Sequence, residues 1–263
     1  MVDLLNYGLV YRLGFVEYSW EYGIFAVRIG SAANVQIALM YALLIITGYL
    51  LGGLNAGIII SKLAFRDDIR NHGSGGAGAT NMLRTYGKPA AAVTFMLDGI
   101  KTVIAVFIGV IMFGNHFNVV GMFAGPYIGG LAAIVGHAFP VYYKFKGGKS
   151  VAATFFMVLL TSPITALICL LIFVIIVKWT KYVSLGSVMA VMVYPMILNR
   201  FTGVGTHNLI AIIVMFLVIF LHRGNIKRLR LGEENKINLR KKKNGIDSMP
   251  ENNQLENKED EEK

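Results

Sequence analysis

A glycine-rich stretch at residues 71–84, NHGSGGAGATNMLR, lies just after a long apolar run and closes on an arginine. Its glycines match the dinucleotide fingerprint G-x-G-x-x-G, but that fingerprint follows a β-strand, and the apolar run here predicts a helix. Glycine-rich backbone can still direct N–H groups at an anion, and a guanidinium group grips phosphate oxygens as a fork. We therefore predict a phosphate site, the alternative being a flexible turn that allows close helix packing. The residues predicted to form this site are Ser74, Gly75, Gly78, Thr80, Asn81 and Arg84.

A second candidate anion site is the loop YYKFKGGKS, residues 142–150. It resembles the phosphate loop of ATPases, but Tyr143 stands where that loop needs glycine and no strand precedes it, which argues against ATP hydrolysis. Lys146 and Lys149 would supply charge, and Gly147 and Gly148 would give an anion access to the backbone. The alternative is an ordinary basic loop beside a membrane, and the loop taken alone does not decide between the two.

Two further polar pairs have helical spacing. Asp98 and Lys101 share a helix face inside an apolar run, where charges are costly and therefore suggest function. The alternative is a neutralised pair that fastens helices together. His222 and Asn225 end the last apolar run, and His222 could be a base, a phosphate donor or an interface residue. The only cysteine is Cys169, and no zinc or nucleophile motif occurs, so we predict no metal and no cofactor.

The apolar content predicts an all-α integral membrane protein. Of 263 residues, 55% are hydrophobic and 15% charged, the mean hydropathy is +0.59, and the apolar residues form blocks near the length of a membrane span. The net charge of +10 fits the basic cytoplasmic side of a membrane protein better than nucleic-acid binding. The predicted apolar segments are, approximately, 35–61, 90–113, 119–142, 151–177, 183–198 and 209–221.

The distribution of basic residues predicts the topology. The basic loops 62–89 and 144–150 are separated by two spans and share one side, which the charge rule makes the cytoplasm. The strongly basic C-terminal region also belongs there, which requires 151–177 to be a short helical hairpin turning near Ser162 and Pro163. This gives about seven transmembrane helices, with the N-terminus outside and the C-terminus inside. The polar clusters then face the cytoplasm, as expected of an enzyme at the inner membrane surface rather than a channel or transporter.

Three regions follow from this arrangement. Residues 1–33 form an N-terminal extension, with an interfacial helix as one interpretation, and residues 34–234 form the membrane domain. Residues 235–263 form a charged tail that is predicted to be disordered.

The motifs together resemble one family, the bacterial acyl-phosphate:glycerol-3-phosphate acyltransferases of the integral-membrane PlsY type. DIRNHGSGGAGATNMLRTYGK, GHAFPVYYKFKGGKSVAAT and HRGNIKRLRLGEE look like its three cytoplasmic motifs, in order, and LDGIK and KYVSLGS fall between them. The resemblance covers about residues 49–234. It implies transfer of an acyl group from acyl phosphate to the sn-1 hydroxyl of glycerol 3-phosphate, the first acylation of phospholipid synthesis, at the cytoplasmic face of a bacterial cell membrane.

The resemblance also implies roles for residues. Ser74, Arg84 and Lys149 would hold phosphate, and Ser187, His222 and Asn225 would complete the pocket. The catalytic set is then Ser74, Arg84, Lys149, His222 and Asn225, with Lys101 among the phosphate-binding residues. The phosphate of the donor would itself accept the hydroxyl proton, so that neither a metal nor a side-chain nucleophile is needed.

Several positions depart from the usual pattern of the family, and they are named at the end of this subsection.

Two other functions stay open. A transporter or channel for a phosphorylated solute is the main alternative, and a non-catalytic membrane scaffold is another. The expected partners are acyl phosphate, glycerol 3-phosphate and membrane lipid, with no nucleic acid, and the sequence identifies no protein partner. The departing residues are Gly53, Asn55, Gly76, Thr102, Ser150 and Gly224.

Overall fold

The computed structural model describes residues 31–113 and 124–237. All regular structure in these ranges is helical, as the sequence predicts. The predictions for residues 1–30 and 238–263 lie outside the described residues. Two short 3₁₀ turns, Ile69–Asn71 and Val141–Tyr143, accompany the α-helices. The α-helices are α1 (Ser31–Gly53), α2 (Ala56–Ala64), α3 (Ala79–Tyr86), α4 (Lys88–Phe113), α5 (Ala124–Ala138), α6 (Val151–Thr161), α7 (Pro163–Thr180), α8 (Val183–Thr202), α9 (Gly205–Leu221) and α10 (Arg223–Arg230).

Several of these helices are long and apolar enough to cross a membrane. A sixth span exists if α9 and α10, which bend by 57° at His222, act as one, whereas α6 has only 11 residues. A straight span needs about 20 residues, so the count of seven and the orientation of the termini stay predictions. Large apolar side chains such as Leu63 and Trp179 are about 80% exposed, as expected of a surface that meets lipid. The five single spans are Ala38–Ala64, Lys88–Phe113, Ala124–Tyr143, Pro163–Thr180 and Val183–Thr202.

Helix α5 packs against α1, α4, α6 and α9, and it is the most buried of the candidate spans. Small residues allow this close approach, because a Cβ atom on Gly52 would lie 2.1 Å from the Ala133 carbonyl oxygen. A Cβ atom on Gly109 would likewise lie 2.3 Å from the carbonyl oxygen of Gly125. Helix α5, which carries His137 near its C-terminal end, is therefore packed closely against both α1 and α4.

The chain reverses direction at Ser162, between α6 and α7. Val151 at the start of α6 and Phe173 in α7 line the same cavities, although a continuous helix would separate them by about 33 Å. Pro163 begins α7, where its missing N–H costs no helical hydrogen bond. The two arms differ in length, because α7 has 18 residues and is long enough to span, whereas α6 is short.

Candidate active site

One polar cavity of about 220 Å³ is lined by residues from distant parts of the sequence. Its walls are the glycine-rich loop and α3, the loop before α6, the first turns of α8, the junction between α9 and α10, and Glu234. The two candidate anion sites of the sequence analysis therefore face one space. Of the predicted site residues, those that line it are Ser74, Gly78, Thr80, Asn81, Arg84, Lys149, Ser187, His222 and Asn225.

Asn81 organises the glycine-rich loop from within. Its amide nitrogen lies 2.9–3.1 Å from the carbonyl oxygens of Ile69, His72 and Gly76, and its side-chain oxygen accepts the N–H of Ser74 at 3.0 Å. These contacts occupy the polar atoms of this buried side chain. Asn81 was predicted to bind phosphate, but its side chain instead holds the loop in place.

Glycine is required at one point of this loop. Gly73 has a φ of +56°, which favours glycine, and a Cβ atom there would lie 2.3 Å from the Asn81 side-chain oxygen. Gly75 was predicted to bind phosphate, but it does not line the cavity and its N–H donates to the His72 carbonyl at 2.9 Å. Gly76 has room for a side chain, since the nearest atom to a Cβ there is the Ser74 hydroxyl oxygen at 3.7 Å.

Helix α3 presents hydrogen-bond donors to the cavity. It begins after Gly78, and the first residues of a helix have N–H groups with no partner inside the helix. Ala79 and Thr80 line the cavity at this end. Arg84 donates one hydrogen bond to the Asn235 carbonyl at 3.1 Å, while its buried Nε has no partner among the described residues. The end of α3 and the rest of the guanidinium group can therefore bind an anion.

Lys149 supplies the second positive charge. It forms no hydrogen bond or ion pair with any residue of the described ranges, and it lines the cavity. Burial lowers the pKa of its ammonium group to about 8. The carboxylate of Glu234 opposes this shift, and the guanidinium groups of Arg228 and Arg84 add to it.

The rest of the lysine loop does not contribute as predicted. Lys146 is exposed and does not line the cavity. The N–H groups of Gly147 and Gly148 donate to the Ala138 and His137 carbonyls at 3.2 and 3.0 Å, where they cap the end of α5. These amides therefore have acceptors within the protein, and neither glycine lines the cavity.

Lys101 also lies away from the cavity. Its Nζ is 2.8 Å from an Asp98 carboxylate oxygen, and both side chains are buried. This is the alternative that the sequence analysis left open, in which a neutralised pair fastens helices. The expectation that Lys101 touches substrate is not supported by its position, although its partner Asp98 does line the cavity.

His222 presents a nitrogen with a defined role. Its Nδ1 lies 2.8 Å from the Val218 carbonyl oxygen, which can only accept, so Nδ1 carries the proton. In the neutral ring Nε2 is then an acceptor, and His222 lines the cavity. An acceptor nitrogen binds a hydroxyl group rather than a phosphate oxygen.

Glu234 anchors the same wall of the cavity, and the sequence analysis gave it no role. Its carboxylate accepts hydrogen bonds from Ser184 at 2.8 Å, Asn225 at 2.6 Å and Arg228 at 2.8 Å. Burial opposes its ionisation, but the hydrogen bonds from Asn225, Ser184 and Arg228 prevail, and the pKa of the carboxyl is lowered. Asn225 is therefore fixed by Glu234. Ser187, by contrast, donates to the carbonyl of Val183 at 2.9 Å within α8.

The charge facing the cavity is positive. Asp98 and Glu234 line it, but each is paired with a cation that does not, Lys101 and Arg228 respectively. Arg84 and Lys149 are then the uncompensated charges among the described lining residues. Two positive charges match a phosphate monoester, which carries about −1.5 to −2 at neutral pH.

An apolar cavity of about 170 Å³ adjoins the polar one. Phe95, Val151, Phe173 and Ser187 line both, so the two spaces share a wall. The apolar space continues between α6, α7 and α8. The site therefore combines a basic polar compartment with an apolar one, an arrangement suited to a molecule with an anionic head and a hydrocarbon chain.

Comparisons with known proteins found one matching family. The profile of the family described as "Glycerol-3-phosphate acyltransferase" matches residues 42–232. A glycerol-3-phosphate acyltransferase of Thermoanaerobacter pseudethanolicus is 43% identical over 199 residues, covering 75% of this chain and 96% of that protein. One from Finegoldia magna is 40% identical over 206 residues, covering 75% and 98%.

Two crystal structures of PlsY (YgiH), an integral membrane glycerol 3-phosphate acyltransferase, are also similar. The glycerol 3-phosphate form has a TM-score of 0.69 and 36% identity, and covers 75% of this chain and 96% of that one. The lysophosphatidic acid form has a TM-score of 0.66 and 34% identity, and covers 75% and 95%.

Proposed function

The chain belongs to the glycerol-3-phosphate acyltransferase family, and from this premise we propose that it takes its acyl group from acyl phosphate at the cytoplasmic face of a bacterial cell membrane. It is a multi-pass membrane acyltransferase that acylates glycerol 3-phosphate to lysophosphatidate, a step of phospholipid synthesis. The observation that carries the proposal is the pair of uncompensated cations, Arg84 and Lys149, in a polar cavity that adjoins an apolar one.

The positions of donors and acceptors orient the substrate. The phosphate of glycerol 3-phosphate binds Arg84, Lys149 and the N-terminal end of α3, with the Ser74 hydroxyl as a further donor. The acceptor nitrogen of His222 binds a glycerol hydroxyl, and Asn225 lies one helical turn further along the same wall.

The transfer requires no covalent enzyme intermediate. The sn-1 hydroxyl oxygen attacks the acyl carbonyl carbon, the bond from that carbon to the phosphate oxygen breaks, and the leaving phosphate takes the hydroxyl proton. The products are lysophosphatidate and inorganic phosphate. Arg84 and Lys149 offset the repulsion between the two phosphate groups, so catalysis is mainly positioning and charge stabilisation.

The apolar cavity accommodates the first part of the acyl chain. Phe155, Leu170 and Phe173 line it, and Phe173 also reaches the polar cavity. Burial of methylene groups there stabilises the bound donor by about 0.8 kcal/mol for each group. The membrane around α7 would receive the remainder of the chain.

The topology belongs to the same proposal. Seven membrane segments, with the N-terminus outside and the C-terminus inside, put the glycine-rich loop, the lysine loop and α10 on the cytoplasmic side. Support comes from α10, where Arg223, Lys227 and Arg230 are exposed, because basic residues favour that side. Glycerol 3-phosphate would then reach the cavity directly from the cytoplasm.

We expect the purified full-length protein to form lysophosphatidate from a long-chain acyl phosphate and glycerol 3-phosphate, and to release one phosphate for each acyl group transferred. The physical reason is that the cavity binds both anions beside each other. Mass spectrometry of the lipid and a phosphate assay measure the products, and reactions lacking either substrate serve as controls. Binding of both substrates without any product would refute the proposal and favour a transporter or a scaffold.

The activity is expected to fall at alkaline pH because Lys149 loses its proton. Its pKa of about 8 lies below the usual lysine value, so the ammonium form is present below pH 8 and lost above it. Glycerol 3-phosphate is already a dianion in this range. We therefore expect kcat/KM for glycerol 3-phosphate to fall about tenfold from pH 7 to pH 9.

The matched variant for this pH profile is Lys149→Arg, since arginine stays charged at pH 9. Steady-state rates across the range should give a flat profile for the variant, whatever its absolute activity. The same alkaline fall in both proteins would show that another group titrates.

A further inference from the structure

Three buried ionisable residues form a cluster at the wall of the polar cavity, and the mechanism above does not use them. Asp98, Lys101 and His137 are 1%, 6% and 3% exposed. Asp98 and His137 line the cavity, whereas Lys101 lies beyond it. Such a cluster inside an apolar bundle is costly unless its hydrogen bonds are satisfied, so the position of each hydrogen can be traced.

The ammonium group of Lys101 has three hydrogens and three neighbours. Its Nζ lies 2.8 Å from a carboxylate oxygen of Asp98, 2.9 Å from the Leu54 carbonyl oxygen and 2.9 Å from His137 Nδ1. Burial opposes the charged form of Lys101, but the Asp98 carboxylate beside it stabilises the ammonium ion, which can only donate. His137 Nδ1 must therefore accept the third hydrogen.

The opposite assignment conflicts with the distances. A proton on His137 Nδ1 would have to point at the Asp98 carboxylate, which is 3.5 Å away and beyond a good hydrogen bond. It would also face the hydrogens of Lys101 at 2.9 Å. The neutral imidazole of His137 thus carries its hydrogen on Nε2.

This Nε2 lies beside the lysine loop. A Cβ atom on Gly148 would be 2.1 Å from it, and Lys149 is the next residue. Among the residues that the structure describes, none accepts a hydrogen bond from Nε2. The backbone of His137 is held as well, because its carbonyl accepts from Asn55 Nδ2 and from the Gly148 N–H, both at 3.0 Å. A fixed and unpartnered donor therefore stands at the cavity wall.

We propose that His137 is a further substrate-binding residue, donating from Nε2 to a substrate phosphoryl oxygen beside Lys149, and that Lys101 and Asp98 are positioning residues that set its tautomer. The proposal rests on the acyltransferase function proposed above. His137 and His222 then face one cavity in opposite tautomers, one a donor and the other an acceptor. The two rings distinguish a phosphate group from a hydroxyl group.

Nitrogen NMR of the imidazole rings tests the tautomers without any assay of activity. The sample is full-length protein with ¹⁵N-histidine in lipid nanodiscs at neutral pH. We expect a protonated Nε2 in His137 and a protonated Nδ1 in His222, and addition of inorganic phosphate should shift the Nε2 resonance of His137. His137→Met identifies the signal, and His207→Met removes a buried histidine outside the polar cavity as a control.

The positioning role has its own spectroscopic readout. In the neutral double variant Asp98→Asn/Lys101→Met, Nδ1 loses its donor, so His137 should populate both tautomers, while His222 stays unchanged. Neutralising both partners avoids an unpaired buried charge. A protonated Nδ1 in wild-type His137 would overturn the inference. So would an Nε2 resonance of His137 that does not shift when inorganic phosphate is added.

Kinetics supply the second test. His137→Met should raise the KM for glycerol 3-phosphate or for acyl phosphate roughly tenfold to a hundredfold, as expected for a lost hydrogen bond to an anion. His137→Gln, which keeps an N–H donor, should recover part of the loss. Unchanged KM values for both substrates in a folded His137→Met protein would refute the inference.

The experiments also distinguish this inference from the proposed function. Lysophosphatidate formation by a protein whose His137 is protonated on Nδ1 would refute only this inference, whereas absence of product would refute the proposed function.

Discussion

Replacing Lys149 with alanine is expected to lower kcat/KM for glycerol 3-phosphate by about a hundredfold or more. The ammonium group is partly buried, has no hydrogen-bond or ion-pair partner among the described residues, and faces a space that must hold phosphate. Loss of one fixed charge from such a site costs about 3 kcal/mol, because the cavity offers little water to replace it. Steady-state rates at saturating acyl phosphate, near pH 7 where Lys149 is charged, measure the effect.

Lys146→Ala is the matched control. Lys146 belongs to the same basic loop but is exposed and does not line the cavity, so its removal should change kcat/KM by no more than about twofold. Equal losses in the two variants would mean that the loop acts only through its overall charge. Equal and small losses would remove Lys149 from the site altogether.

Local patterns in the sequence were enough to predict the helices, and they marked two candidate anion-binding loops whose function stays a prediction. Apolar blocks with basic connections predict membrane helices because both signals are short-range, and glycines next to a cation predict an anion site for the same reason. The order of the motifs then identified the family, which the comparisons confirm. The change in chain direction at Ser162 could also be predicted from the sequence, because Pro163 and the charge of the flanking segments indicated it.

Individual roles were hard to predict from the sequence where a polar group has a hydrogen-bond partner inside the protein. Gly147 and Gly148 look like phosphate ligands, yet their amides cap α5. The side chain of Asn81 forms its hydrogen bonds with the glycine-rich loop itself. Lys101 looks like a substrate cation, but Asp98 lies 2.8 Å away. A sequence reveals which groups can bind an anion and does not reveal which of them already have a partner.

The contact made by Ser150 is another feature that could not be predicted from the sequence. It has a φ of +59°, a conformation that favours glycine, and its hydroxyl donates to the Ile134 carbonyl at 2.8 Å. The resemblance to the family marks Ser150 as one of the positions that depart from the usual pattern. Only the structure shows the hydrogen bond that accompanies the serine.

Removal of the Glu234 carboxylate is expected to destabilise the protein and abolish most of its activity. Ser184, Asn225 and Arg228 all donate to this buried group, so Glu234→Ala leaves three donors without their acceptor. Because Arg228 is partly exposed, we expect a loss of roughly 2–3 kcal/mol in the free energy of unfolding, below the value typical of a fully buried pair. Activity should fall about a hundredfold, since Asn225 is no longer held at the cavity wall. Thermal unfolding in detergent and acyltransfer rates measure the two effects.

Glu233→Ala is the control for this prediction, because the neighbouring carboxylate is exposed and should be nearly silent in both assays. Glu234→Gln separates the two effects further. Glutamine keeps an acceptor for Ser184 or Asn225 but loses the charge that pairs with Arg228, so it should retain more activity than alanine. Normal unfolding temperature and rate in Glu234→Ala would show that the carboxylate does not organise this wall, and that His222 and Asn225 are held by the helix junction alone.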